Sequence, residues 1–263
     1  RRRSIIINRK KKMKKIVTIA VSLLLVFNLP AQIKLNETLV FSGAYAISGM
    51  MTNLAQLTMS TDLLRTSKKS YLHLSIVAAT FQKWDSYFKI RDLYESYVDP
   101  ATFKPTLYKR NVYEGGYTKT ETYTFLPDGK SIKSVSQRKK GPINTHILNV
   151  APNTLDVVTL IYKLRTVDLS RLQPGQSLAF KIIFDEKEYP VWIKFLGKEN
   201  VSAGNLGKKL CYKLSILAKT DKLKGKDKNI IWLSADNKKI PCMVEFSIPV
   251  GVGRLNLLKA EGV

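Results

Sequence analysis

YLHLSIVAAT-FQKWDSYFKI-RDLYESYVDP-ATFKPTLYKR-NVYEGGYTKT-ETYTF, from Tyr71 to Phe125, is the run that decides the fold class. Residues 71–80 alternate, with Leu72, Leu74, Ile76 and Ala78 on one side, as a half-buried strand requires. Phe81, Trp84 and Phe88 then fall at i, i+3 and i+7, which switches the period to that of a short amphipathic helical turn. After Asp99-Pro100 the alternation returns, so the stretch reads as one strand, one turn of helix and three more strands.

The flanks extend this pattern. Residues 39–48 and 54–64 pair around Ser48-Gly49, and Pro127-Asp128-Gly129 is a tight-turn signature joining 117–125 to 132–138. Thr118, Thr120, Thr122 and Thr124 share one phase; Tyr117, Lys119, Glu121, Tyr123 and Phe125 share the other, predicting a sheet with one greasy and one wet side. The clearest helix is 154–165: Asn153 or Thr154 caps it, Asp156 sits in the first turn, and Val157, Leu160, Ile161 and Leu164 form an apolar stripe. Burying those four side chains is worth roughly 6–12 kcal/mol before entropy, so the helix must lie on the sheet. Short runs then follow at 178–184, 191–196, 210–218, 230–233, 240–248 and 255–258, with a polar turn at 185–188 and another at Asp236-Asn237. The expectation is a mainly β (α+β) chain: a strongly curved antiparallel sheet or half-open barrel of about ten or more strands, covered by one main helix and a shorter one.

The N-terminal segment carries an address. Its first fifteen residues hold nine Lys or Arg and no acid, then come 14 mostly apolar residues, 16–29, and a small residue at Ala31. That is the layout of a secretory signal peptide, with Met13 reading as its start; the apolar run falls short of the roughly 20 residues that span a bilayer. Residues 1–31 are therefore set apart as upstream basic residues and signal peptide, and 32–263 as one exported β-rich domain without a mature transmembrane helix. No linker, repeat or composition break divides the latter.

The whole chain is strongly basic, with 44 Lys and Arg against 20 acids. Removing the nine in the leader still leaves 35, a net of about +15. Lys68-Lys69, Arg138-Lys139-Lys140 and the lysine run 219–228 lie between strands, where they solvate loops or meet anionic polymers and membrane surfaces outside the cytoplasm, not nucleic acid. Cys211 and Cys242 fall in opposite phases of their strands, which predicts sulfurs on different sides of the sheet and no disulfide, although export would permit one.

No reaction is legible in the residues. His73 and His146 stand on separate segments, with no metal-ligand spacing, Ser/His/Asp arrangement or phosphate loop; Gly115-Gly116 opens no helix. Neither a metal nor a cofactor is expected. Asp85, Asp92, Glu95 and Asp99 invite an acid/base reading, for which Asp92 and Glu95 would be tested, but turn capping and pairing with cations explain them as well. The remaining functional idea is an apolar concavity beneath the helix, with Trp84, Phe88, Tyr94, Tyr162, Phe180, Trp192 and Trp232 as candidate lining residues for a lipid or amphiphile.

Several local patterns together resemble the bacterial domain of unknown function 3108 family: 88–99 (FKIRDLYESYVD), 156–165 (DVVTLIYKLR) with Leu172-Gln173-Pro174-Gly175, Gly197-Lys198-Glu199, 232–236 (WLSAD) through Ile240-Pro241, and Val250-Gly251. The resemblance spans residues 39–258. It implies an exported protein of Gram-negative cells with no established reaction and no catalytic residues to carry over. The family's fold is similar in outline to the curved-sheet lipoprotein carriers and receptors of the outer-membrane localisation pathway, an analogy of fold only. The leading expectation is a non-enzymatic carrier of an apolar or amphiphilic envelope component in the periplasm or at the outer membrane. The alternatives are an interaction protein for lipopolysaccharide and, third, a cell-wall-acting enzyme.

Overall fold

The structure is a computed structural model that describes residues 33–47, 50–218, 229–248 and 251–263. The signal segment 1–31, the Ser48-Gly49 turn and the lysine run 219–228 lie outside the described residues.

Among the described residues, fourteen strands form one antiparallel sheet. In chain order they are β1 (Thr38–Ile47), β2 (Met50–Arg65), β3 (Ser70–Thr80), β4 (Ile90–Val98), β5 (Pro105–Glu114), β6 (Tyr117–Phe125), β7 (Ser131–Arg138), β8 (Ile143–Asn149), β9 (Ser177–Phe184), β10 (Lys187–Ser202), β11 (Lys208–Ala218), β12 (Ile230–Ser234), β13 (Pro241–Ile248) and β14 (Gly251–Glu261). The spatial order runs β8 down to β1, then β14 down to β9. Each half is a meander, and the seam between them is the pairing of β1 with β14, Thr38 opposite Glu261. The sheet does not close: β8 and β9 are its two edges. Register shifts at Val40/Phe41, Gly43/Ala44, Tyr97/Val98, Phe195/Gly197 and Trp232/Leu233 insert bulges, the device by which strands bend and a long sheet curls.

Besides the 3-10 turn Gly204–Leu206 between β10 and β11, two short helical pieces interrupt the strands. A 3-10 turn, Gln82–Trp84, runs into α1 (Asp85–Phe88), and neither buries a residue. The main helix, α2 (Val157–Thr166), links β8 to β9 and lies within the curl of the sheet. Val158 and Tyr162 pack with Leu72, Leu74, Ile76, Tyr108 and Tyr123 of the first half. Leu160 and Leu164 pack with Val191, Ile193, Leu214 and Ile231 of the second. The expected stripe is thus only part of what is buried, because a helix gripped from both sides hides most of its circumference.

Both ends of α2 are pinned by buried polar groups. Its cap is Asp156, two residues beyond the expected Thr154: Asp156 Oδ1 accepts from Thr159 N (2.8 Å) and Oδ2 from Ser96 Oγ (2.8 Å). Thr154 is spent elsewhere, donating to Ala151 O at 2.8 Å. At the far end the Arg165 guanidinium donates to Glu37 Oε1 (2.5 Å) and Oε2 (2.8 Å), with both side chains buried.

The cysteine phasing needs a correction. Both thiols are free and buried, but they lie in one core cluster, close enough to shift each other's ionisation, instead of facing apart; Cys211 Sγ donates to Lys209 O (3.6 Å) and Cys242 Sγ to Ile240 O (3.3 Å). The bulge at Trp232/Leu233 sets Leu233 opposite Pro241, which shifts Cys242 by one position and so onto the side of Cys211.

Candidate functional site at the tip of the β9–β10 hairpin

Phe184 pairs with Lys187, so β9 and β10 are joined by the two residues Asp185 and Glu186, with φ of 48° and 62°. Two successive left-handed residues make the hairpin turn that Asn-Gly forms comfortably; non-glycine residues there store strain of roughly 1–3 kcal/mol each. The compensation comes from across the mouth of the open barrel. Asp185 Oδ1 accepts from Lys119 Nζ (2.9 Å) and from the Arg110 guanidinium. Glu186 Oε1 accepts from Ser134 Oγ (2.7 Å) and Ser136 Oγ (3.2 Å), while Glu186 N donates to Tyr123 Oη at 2.8 Å. The tip of one sheet edge is thereby latched to the concave face of β5, β6 and β7.

Cross-strand register gathers the partners. Arg110 stands opposite Glu121, Glu121 opposite Ser136, Lys119 opposite Arg138, and Tyr123 opposite Ser134. Arg110 and Lys119 are only 5% and 4% exposed. Glu121 holds Lys119 at 2.6 Å and Arg110 at 3.3 Å, so two buried cations face two carboxylates. Burial opposes charge on Arg110, but Glu121 and Asp185 outweigh it and raise its pKa above the ordinary arginine value. The guanidinium also lies over the Phe184 ring, 4.5 Å from its centroid. Arg110 Nε and the Tyr108 hydroxyl are buried without a hydrogen-bond partner, unspent polar capacity that costs about 1–3 kcal/mol per group.

Beside the latch opens a cleft of about 260 Å³. Its floor is Lys119, Ser136, Asp185 and Glu186, and its outer wall Arg138, Pro142, Asn144 and His146. The arrangement can hold an anion: fixed cations lie below, donors surround them, and a carboxylate of the chain already occupies the place.

The seven lining residues predicted from sequence are brought together only in part: Tyr162, Trp232 and Tyr94 belong to one core cluster, Phe180 packs against the other, and Trp84, Phe88 and Trp192 join neither. Tyr94, Tyr162 and Phe180 face the interior, packed against the two core clusters around α2; Tyr162 Oη donates to Ser60 O at 3.1 Å. Trp192 and Trp232 take the phase opposite to Val191, Ile193, Ile231 and Leu233, which face α2, and Trp232 Nε1 donates to Glu199 Oε1. Trp84 and Phe88 sit at the rim, Trp84 Nε1 donating to Asn53 O (3.2 Å) and Phe88 lying exposed against Gly115.

The acidic group is likewise dispersed. Asp85 is paired with Arg91, which holds its pKa below the usual range. Asp99 caps Ala101 N and Thr102 N and pairs with Lys69 at 2.8 Å. Glu95 meets the His73 ring at 2.9 Å, on the other face of β4 from Asp92. Asp92 is buried, accepts from Tyr113 N (3.1 Å), and is pushed up to about 7 by burial and the nearby Glu114. Among the described residues no group of His, Cys, Asp and Glu is placed to hold a metal ion, and no helix is long and apolar enough to cross a membrane.

Sequence reasoning passed over Arg110, Lys119, Glu121, Asp185 and Glu186 as site residues. A signal was present: Lys119 and Glu121 share the phase of Tyr123 and Phe125, and charges in an apolar phase demand buried partners.

No curated protein matches the chain. Among solved structures, a β-barrel-like protein of domain of unknown function DUF1849 from Brucella abortus is similar in fold at a TM-score of 0.53 and 12% identity, covering 87% of this chain and 98% of that one. Weaker likenesses are a provisionally described exported protein with a YmcC-like fold from Bacteroides fragilis (TM-score 0.31, 9% identity, 87% and 96% covered) and a provisionally described lipoprotein from Parabacteroides distasonis (0.35, 11%, 89% and 98%). The family model described as a protein of unknown function, DUF3108, matches residues 43–257, and the chain belongs to that family.

Proposed function

We propose that the chain is a non-enzymatic binding protein of the cell envelope whose ligand is an amphiphile with an anionic head. The observation that carries this reading is the strained Asp185-Glu186 tip, whose carboxylate occupies a buried Arg110 and Lys119 site at the mouth of an open barrel. In the closed arrangement α2 fills the concave face, so uptake begins with the hairpin tip. The anionic head replaces Asp185 on the two cations, the β9 edge swings out, and the apolar part lies along the uncovered interior near Phe180 and Tyr94. Strain in the turn lowers the cost of release.

The test is binding of dodecyl phosphate, with dodecyl maltoside as the neutral control, together with native mass spectrometry of purified protein for co-purified lipid. Asp185→Asn leaves the site short of an anion and is expected to tighten dodecyl phosphate roughly ten- to a hundredfold, the effect of one charge-assisted hydrogen bond of about 1.5–3 kcal/mol. Lys119→Gln is expected to weaken it similarly. Equal affinity for the two amphiphiles in all three proteins, with no lipid carried through purification, would overturn the reading.

A further inference from the structure

The mouth that holds the latch is also where the chain exposes its largest apolar side chains. Four hairpin connections of the first half of the sheet meet at this end: β1 to β2 (Ile47 opposite Met50), β3 to β4 through α1 (Ala79 opposite Arg91), β5 to β6 (Glu114 opposite Tyr117) and β7 to β8 (Gln137 opposite Ile143). On them Tyr87 is 80% exposed, Met50 72% and Phe88 53%. These side chains are presented by a fixed scaffold. Asp85 pairs with Arg91 and accepts from Thr80 Oγ1 (2.6 Å), and Trp84 Nε1 ties the 3-10 turn to β2. An α1 that buries none of its four residues turns its aromatics to solvent by construction.

Cations stand between the apolar tips. Lys83 Nζ lies 5.7 Å from the centroid of Trp84, and Lys89 Nζ 5.7 Å from that of Tyr113. Lys139 and Lys140 are exposed on the next connection. Against these four lysines the same stretch offers Asp85, already paired with Arg91, and Glu114. A protein interface concentrates apolar groups in a core depleted of charge. Here the Trp84 and Tyr113 rings each have an ammonium beside them and exposed Tyr87 and Phe88 stand between Lys83 and Lys89 in the chain, the mixture suited to a boundary where acyl chains give way to phosphates.

We propose that this rim is a peripheral docking surface for an anionic lipid leaflet, with Tyr87, Phe88 and Met50 entering the headgroup boundary and the four lysines meeting lipid phosphates. The mouth of the barrel then faces the bilayer. The inference stands apart from the ligand reading, since a rim can dock whether or not the mouth admits an amphiphile.

Flotation of the full chain with vesicles of phosphatidylcholine, with and without phosphatidylglycerol, tests it. Expected is binding to the anionic vesicles that weakens as salt rises. Tyr87→Ser/Phe88→Ser should cut it roughly tenfold or more, the worth of two aromatic side chains leaving water. Lys139→Glu/Lys140→Glu should cut it with an intact α1; circular dichroism and an unchanged melting temperature show that both variants fold. Failure of the chain to float with either composition overturns the proposal, as does binding that ignores both double substitutions. Retention on neutral vesicles alone, or capture only by another protein, overturns it too. Flotation with anionic vesicles by a chain that binds dodecyl phosphate no better than dodecyl maltoside would sustain this inference and sink the ligand reading.

Discussion

Asp92 shows how one buried carboxyl sets a pH dependence. Its folded pKa of about 7 lies above the ordinary 3.8 because burial and Glu114 disfavour the charged form. Between those values the folded chain holds a proton that the unfolded chain has released, so stability falls as pH rises through the window and levels off above it. Asp92→Asn keeps an acceptor for Tyr113 N and removes the titration. Its melting temperature is expected to exceed the parent's at pH 8 and to match it near pH 4, as scanning calorimetry would read. Glu37 and Arg165 make the opposite case, a buried pair in which one partner protects the other. Glu37→Gln should cost about 3–5 kcal/mol. For a chain of this size that is a fall of roughly 6–20 °C in Tm. Replacing both by Met should recover most of it.

Among the elements, those that bury one face were legible and those that bury neither or both were not. Leu72, Leu74 and Ile76 alternate with His73 in the sequence and in the structure. β8 escaped notice because all but Leu148 of its residues are exposed, so Ile143, Thr145 and Ile147 carry no contrast to read. α2 was found from its apolar stripe, but its cap was misplaced because Asp156 is fixed by Ser96, 60 residues away. The cysteines were misphased by a bulge that no local signal announces. The latch was hidden for the same reason: Arg110 and Asp185 are 75 residues apart, and each looks like an ordinary surface charge. For β11 and β13, whose thiols are fully buried, a thiol reagent should titrate neither Cys211 nor Cys242 in the native protein and both in guanidinium. Rapid native labelling would show that this corner opens.

At the scale of the whole molecule, the mainly β class and a curved antiparallel sheet or half-open barrel followed from turn signals and alternation, and the family from the resemblance of local motifs; the halves into which the sheet divides did not. Each half is built from neighbours in sequence, whereas β1 and β14 pair strands from opposite ends of the described chain. Such distant pairing places the folding rate among the slow β proteins, milliseconds to seconds. Removal of residues 251–261 would strip β14 from the seam and expose two facing edges, those of β1 and β13. That truncation is expected to yield insoluble protein, whereas the interior of either meander should tolerate single exposed substitutions.

Thr38 beside Glu261 carries a last consequence, for how the chain could be rewired. A short flexible tether from residue 263 to residue 33 should close the described domain into a ring with little distortion, and the exposed Asp128-Gly129 corner offers a place to cut it. The resulting permutant would make the present seam a hairpin and the β6–β7 pairing the new seam, so it is expected to reach the same sheet at a rate close to the parent's.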